Sequence, residues 1–266
     1  MGDLILVENR DAVRILTMNR PDKLNALSTE LVESLAHELA AAADSRTTRV
    51  VVIAGAGRSF CAGYDLDEDS PNDRDGASVT LTAALGRLLE VFDHPKPVIA
   101  RVQGHCLAGG CDLMMMCDLA VASESAVFGQ PEIRFGSAVV AQVMPWLIGA
   151  RRAKEYVLTG NDRIPASEAA TIGLVNKVVP DESLEEETMR LASRLAVVDP
   201  EVMRLSKRSI NAAWEAAGFR EALTRGVELG AEIESSSAPE RVEFQRIVGE
   251  RGLRAAIEWR DRRFRP

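Results

Sequence analysis

The chain is poor in aromatics, in histidine and in paired cysteine, and it has no long apolar run. Phe, Trp and Tyr make up 5% of its 266 residues, so the core must rest on Ala, Val, Leu, Ile and Met. No stretch approaches the roughly 18 apolar residues of a membrane span, which excludes a membrane partner. Met1 to Glu8 lacks a basic segment followed by an apolar one, so no export signal is expected. The four cysteines (Cys61, Cys106, Cys111, Cys117) contain no C-x-x-C pair, and His37, His94 and His105 stand at no ligand spacing with them. Neither a disulfide frame nor a metal site is predicted, and reduced, buried thiols in a cytoplasmic protein are the expectation. Positive charge is also short. A net charge of −8 argues against a nucleic-acid partner, because gripping phosphates needs a basic field.

What remains is an ordinary globular composition, 46% hydrophobic and 27% charged, in a length suited to one large domain with an appendage. Residues 4–8 and 13–18 predict a β-hairpin turning at Asn9-Arg10-Asp11. Ser28 is placed as an N-cap before a helix carrying Leu31, Leu35 and Leu39 on one face. Val50–Ala54 reads as a buried strand, and the acidic stretch Asp67–Ala77, with Pro71 and Gly76, as a loop. A helix with Leu81, Leu85, Leu88, Leu89 and Phe92 follows, stopped by Pro95 and Pro97. Val98–Val102, Leu119–Ala122 and Ala126–Phe128 read as strands. From about Arg151 the pattern turns helical, with Pro165, Pro200 and Pro239 opening helices.

Two segments carry the chemistry: Phe60-Cys61-Ala62-Gly63-Tyr64-Asp65-Leu66 and Gly104-His105-Cys106-Leu107-Ala108-Gly109-Gly110-Cys111-Asp112-Leu113. Each follows a β-branched strand and is small, glycine-bearing and ready to open a helix. Free backbone N–H groups at such turns can stabilise a developing oxyanion, and two of them suggest an enzyme acting on a carbonyl compound. Rival motifs fail on their residues. Gly55-Ala56-Gly57 lacks the third glycine of a dinucleotide fingerprint, where Phe60 stands, and Gly110-Cys111 breaks the P-loop pattern begun at Gly104.

With Asn19-Arg20-Pro21, Asn25-Ala26-Leu27, Phe128-Gly129-Gln130-Pro131-Glu132 and Ala169–Val175 added, nearly the whole chain resembles the enoyl-CoA hydratase/isomerase (crotonase) family. The resemblance implies an α/β fold: a spiral of repeated ββα units over residues 1–195. A C-terminal helical region, 196–266, would serve oligomer packing and close the CoA site. It implies that the backbone N–H groups of Tyr64 and Gly109 bind the thioester oxygen of an acyl-CoA. Ala62, Gly63, Asp65, Leu66, Leu107, Gly110 and Pro131 would line the substrate site. A homotrimer or dimer of trimers is implied, and no cofactor beyond the CoA carried by the substrate.

Two acids, Asp112 and Glu132, stand where the family places its acid/base groups. The resemblance implies that Glu132 activates water for addition to a 2-enoyl-CoA, with Asp112 assisting. Asp112 departs from the glutamate usual in hydratases, and its oxygens sit back by roughly 1–1.5 Å. Aspartate here matches the family's dienoyl-CoA isomerases, but their third acid, eight residues beyond the glutamate, is Val140 in this chain. The segment Ser137–Trp146 replaces a proline- and glycine-rich helix start. The same-family alternative is a double-bond isomerase in which Glu132 alone shuttles a proton; an RNA-binding homologue without catalysis is the alternative from another class. His105 is read as a hydrogen-bonded structural residue, Met114–Met116 and Met144 as core, and the C-terminal arginines (251, 254, 260, 262, 263, 265) as a solvated or intersubunit face.

Overall fold

The computed structural model describes residues 3–68 and 73–264. Strands β1 (Ile5–Arg10) and β2 (Val13–Met18) form the expected antiparallel hairpin. The turn is shorter than expected: Asn9 and Arg10 pair with Arg14 and Val13, and Asp11, at φ 53°, makes the reversal with Ala12. Helix α1 (Thr29–Asp44) starts where predicted, with the Ser28 side chain accepting from Leu31 N–H, and buries Leu31, Leu35, Leu39 and Ala42. Strand β3 (Val50–Gly55) is buried along its whole length.

Helix α2 (Arg74–Phe92) takes over the last four residues, 74–77, of the loop expected over Asp67–Ala77. Asp73 caps the helix by accepting from Gly76 N–H, and Asp75 lies in its first turn, where the dipole favours negative charge. Pro71 lies outside the described residues. The first glycine segment therefore does not open a helix directly. Strands β4 (Val98–Val102) and β5 (His105–Leu107) lead into helix α3 (Gly109–Met116), and the second segment does open a helix. Strands β6 (Leu119–Ser123) and β7 (Val127–Gly129) follow, then one 3-10 turn over Glu132–Phe135.

The large sheet runs β1-β2-β3-β4-β6-β9, parallel from β2 onward, with β9 at Lys177–Val179. The small sheet is β5-β7-β8, with β8 at Ile164–Pro165. The spiral of ββα units is seen in β4-β5-α3, which gives a strand to each sheet before its helix; the units of β2 and β3 have only the isolated bridges Leu27–Tyr64 and Cys61–Cys106 where the short strand would be. Helices α4 (Met144–Ile148), α5 (Ala150–Thr159) and α6 (Ala166–Thr171) complete this part. The segment 137–143 is not helical, and Pro145 falls at the start of α4.

Period two explains the double burial of the sheet. Leu16, Val51, Ile53 and Ala100 face α1, α2 and α3 in the main core, while Ile15, Val50, Val52 and Ile99 face Leu184 and Ala192 of α7 (Leu184–Ala196). Helices α8 (Pro200–Ala216), α9 (Phe219–Glu234), α10 (Pro239–Arg251) and α11 (Leu253–Arg263) follow. The scarce aromatics are concentrated where these helices meet the rest: the Phe219 ring is 4.9 Å from Phe92 and 5.2 Å from Trp146. Among the described residues no helix is long and apolar enough to cross a membrane.

Candidate active site

Backbone hydrogen bonds zip the two glycine segments together. Cys61 N–H donates to His105 O (3.0 Å) and Leu107 N–H to Cys61 O (3.0 Å) in a single parallel bridge. On the other side, Leu27 N–H donates to Gly63 O (2.8 Å) and Asp65 N–H to Leu27 O (3.1 Å). A parallel bridge uses alternate groups, so Tyr64 N–H points away from it and has no acceptor among the described residues. Gly109 opens α3, and its N–H is likewise without one.

Close packing sets the spacing of these two donors. Gly63 has φ +107°, and a Cβ there would lie 2.7 Å from the Ala108 methyl and 3.5 Å from Gly109 N. Ala108 itself sits at φ 51° and ψ −131°, a conformation L-residues avoid. It is held by its N–H to Gly129 O (2.9 Å) and by its carbonyl, which accepts from Cys111 N–H (2.8 Å) and Asp112 N–H (3.0 Å). Gly110 leaves no room for a side chain above Cys61, and a Cβ on Gly109 would collide with the Tyr64 ring. Cys61, Cys106 and Cys111 are fully buried around the turns, and burial pushes the Cys61 thiol up to about 12. These sulfurs are filler.

Asp112 and Glu132 are both buried, and the charge of Asp112 acts on Glu132. Asp112, in the first turn of α3, is fully buried; Oδ1 accepts from Gln130 Nε2 (2.7 Å) and Oδ2 from Ala141 N–H (3.3 Å). Burial raises its pKa to about 7, against the lowering pull of those two hydrogen bonds. Glu132 is 6% exposed, and its Oε2 has no hydrogen-bond partner. Burial and the neighbouring Asp112 charge push it well above the usual carboxylate range. The Tyr64 phenol is pushed up by burial first and then by Asp112, Cys61 and Glu132, and its ring lies against Gly109.

The remaining expected positions divide. Ala62, Leu107, Gly110 and Pro131 are backbone and packing elements of the two turns and of the approach to Glu132. Leu66 is exposed. Asp65 is engaged by the protein: burial raises its pKa, but Arg20 Nη2 at 2.7 Å and Asp67 N–H at 3.1 Å bring it below the ordinary value. Asn25 Nδ2 donates to Ala56 O and Ser59 O, pinning the Asn19–Leu27 loop to the first turn. His105 Nδ1 lies 3.2 Å from Ser59 Oγ, and Met114–Met116 and Met144 are buried. Among the described residues no three His, Cys, Asp or Glu side chains gather as a metal site.

Sequence reasoning missed the groups behind the pair. Gln130 was visible only as part of a motif, and the Ala141 N–H had no signal at all. Glu234 of α9 accepts from Ala138 N–H (2.8 Å) and Ser137 Oγ, and it pairs with Arg241 of α10, so the 137–141 segment is held from the C-terminal helices. Arg260 departs from the solvated face expected of the C-terminal arginines, while Arg251, Arg254, Arg262 and Arg263 are exposed. The Arg260 side chain is 12% exposed, packed over Phe135 and between Asp261 (2.7 Å) and Asp162 (3.9 Å).

The sequence profile of the enoyl-CoA hydratase/isomerase family matches residues 8–243. The chain belongs to that family. It is 37% identical over 216 residues to a probable mitochondrial enoyl-CoA hydratase of Dictyostelium discoideum, covering 78% of this chain and 75% of that protein. It is also 37% identical over 220 residues to the 2,3-dehydroadipyl-CoA hydratase of Escherichia coli K12, covering 82% and 85%. The crystal structure of an enoyl-CoA hydratase/isomerase from Xanthobacter autotrophicus Py2 superposes with a TM-score of 0.96 at 37% identity, with both chains fully covered.

Proposed function

We propose that the chain is an enoyl-CoA hydratase that adds water across the 2,3 double bond of a 2-enoyl-CoA. The observation that carries the reading is two backbone N–H groups without an acceptor among the described residues, on Tyr64 and Gly109, at the start of the helix that bears the buried Asp112. The thioester oxygen accepts from both donors, and negative charge moves onto it as the water oxygen bonds to C3. Glu132 gives its proton to C2 and takes one from the water, so the carboxyl ends as it began. Asp112 supplies the fixed negative partner. No cofactor is required, since CoA arrives with the substrate. Four unpaired cysteines suit a reducing cytoplasmic setting.

The expected test result is loss of the conjugated-thioester absorbance of crotonyl-CoA, reduced at least a hundredfold in Glu132→Gln. Full turnover in that variant would remove Glu132 from the mechanism. One observation favours the isomerase alternative: both Asp112 oxygens already accept N–H groups, leaving Glu132 as the one free acid. Migration of the double bond of a 3-enoyl-CoA without hydration would select it.

The assembly proposed is a homotrimer or a dimer of trimers, with residues 196–266 as its packing region. Val202, Leu205 and Ile210 of α8 and Leu229 and Ile233 of α9 are exposed apolar side chains that support it.

A further inference from the structure

An apolar seam runs between α1 and α2, and Tyr64 stands at its inner end. Leu35 and Leu39 of α1 and Ala84 and Leu88 of α2 are among the side chains that line it. Besides Tyr64, its one polar lining side chain among the described residues is Arg87, which pairs with Glu33 of α1 at 2.6 Å on the exposed rim. The inner end is made by Leu27, Tyr64 and Leu113. Leu27 bridges Tyr64 through the backbone, and Leu113 directly follows Asp112 in α3. The seam therefore begins at one of the two free N–H donors and next to a buried acid.

The Tyr64 ring closes that end. It packs against the main core and against Gly109, where an added Cβ would stand 2.4 Å from ring Cε2 and 2.5 Å from Cδ2. The void left in the seam is about 20 Å³, little more than one water molecule needs. We propose that Tyr64 is a specificity-determining residue: its ring is a stopper that bars the seam to long fatty acyl tails and confines the site to short acyl groups such as crotonyl. The inference rests on reading the Tyr64 and Gly109 N–H groups as the thioester site, and it deepens that reading by naming the chain length.

The chemistry of the seam suits a fatty tail and little else. Each methylene moved from water into an apolar lining is worth about fourfold in affinity, and Arg87, already paired, offers no free charge to a polar tail. Only steric closure keeps such a tail out. Burial keeps the phenol protonated, so the stopper is a neutral ring rather than a phenolate. The side chain at this position is free to take such a role, because the donor is the backbone N–H whatever residue carries it. The ring is also held in place. Leu27 N–H donates to Gly63 O (2.8 Å) and Asp65 N–H to Leu27 O (3.1 Å), which fixes the backbone on both sides of Tyr64.

Isothermal titration with saturated acyl-CoA thioesters, from butyryl-CoA to octanoyl-CoA, reads the limit without turnover. The unaltered protein is expected to bind butyryl-CoA at least tenfold more tightly than octanoyl-CoA. Tyr64→Ala should reverse that order, with each added methylene tightening binding about fourfold until the seam is full. Tyr64→Phe keeps the ring and should keep the limit. In the Tyr64→Ala background, Ala84→Leu should refill the seam and restore it. Octanoyl-CoA binding to the unaltered protein as tightly as butyryl-CoA would overturn the proposal. So would a folded Tyr64→Ala that still prefers butyryl-CoA, or a Tyr64→Phe that loses the preference. If Tyr64→Ala fails to fold, Tyr64→Leu takes its place under the same criteria. Because these ligands do not react, absent hydration of crotonyl-CoA beside an intact length limit would sink the hydratase reading and leave this one standing.

Discussion

Glu132 puts function and stability in opposition. Its folded-state pKa lies well above the ordinary 4.5, because burial and Asp112 disfavour its charge. Above about pH 4.5 the unfolded chain loses that proton while the folded chain keeps it, so stability falls as pH rises, by up to about 1.4 kcal/mol per unit from this group. Glu132→Gln removes the loss. Urea denaturation should find the variant no more stable than the parent near pH 4 and progressively more stable towards pH 7; a gap independent of pH would contradict the burial argument. Gly63 is the second residue at which the geometry is decided. With φ +107° and the Ala108 methyl 2.7 Å from where a Cβ would stand, Gly63→Ala forces the two turns apart. A stability loss of about 1–3 kcal/mol is expected. Turnover should fall more than the KM changes, since the donor spacing is what moves.

At the scale of elements, the short 3-10 turn bearing Glu132 is stiffened from outside itself. Phe135 stacks on Phe244 of α10 at 4.9 Å, and the Glu234–Arg241 pair, 13% and 8% exposed, reaches across from α9 and α10 to Ser137 and Ala138. Removing one partner strands a buried charge. Arg241→Met should therefore cost about 3–5 kcal/mol, read as a lower Tm, and should reduce kcat by loosening the segment that carries Ala141. An unchanged kcat would show that the C-terminal helices do not position the pair. This coupling was not legible in the chain, because 132–141 and 234–241 are about a hundred residues apart. The start of α2 was missed for a local reason: Asp73 and Gly76 resemble loop chemistry until the cap they form is seen.

At the scale of the whole molecule, α8 leaves apolar side chains in the open, with Val202 56% and Ile210 70% exposed. Light scattering on the purified protein should give a mass of three or six chains, and Ile210→Glu should reduce it. A monomeric parent protein would leave that face without a role in assembly. The same scale explains why an aromatic-poor chain can be well packed. The sheet is filled by β-branched residues on both faces, while Phe92, Trp146, Trp214 and Phe219 are spent on the junction of α2, α4, α8 and α9.

The sequence by itself determined the strands at 50–54 and Val98–Val102, the capped helix after Ser28 and the two glycine turns; the two acids it offered only through the family resemblance. The strands, the helix and the turns depend on neighbours within a few residues, where alternation, capping and glycine geometry act directly. Only the tertiary structure decided what surrounds those acids. Asp112 meets Gln130 and Ala141 across 18 and 29 residues, and Glu132 is desolvated by helices that arrive from the far end of the chain. A carboxyl's proton affinity is set by what surrounds it in space, and no local pattern records that.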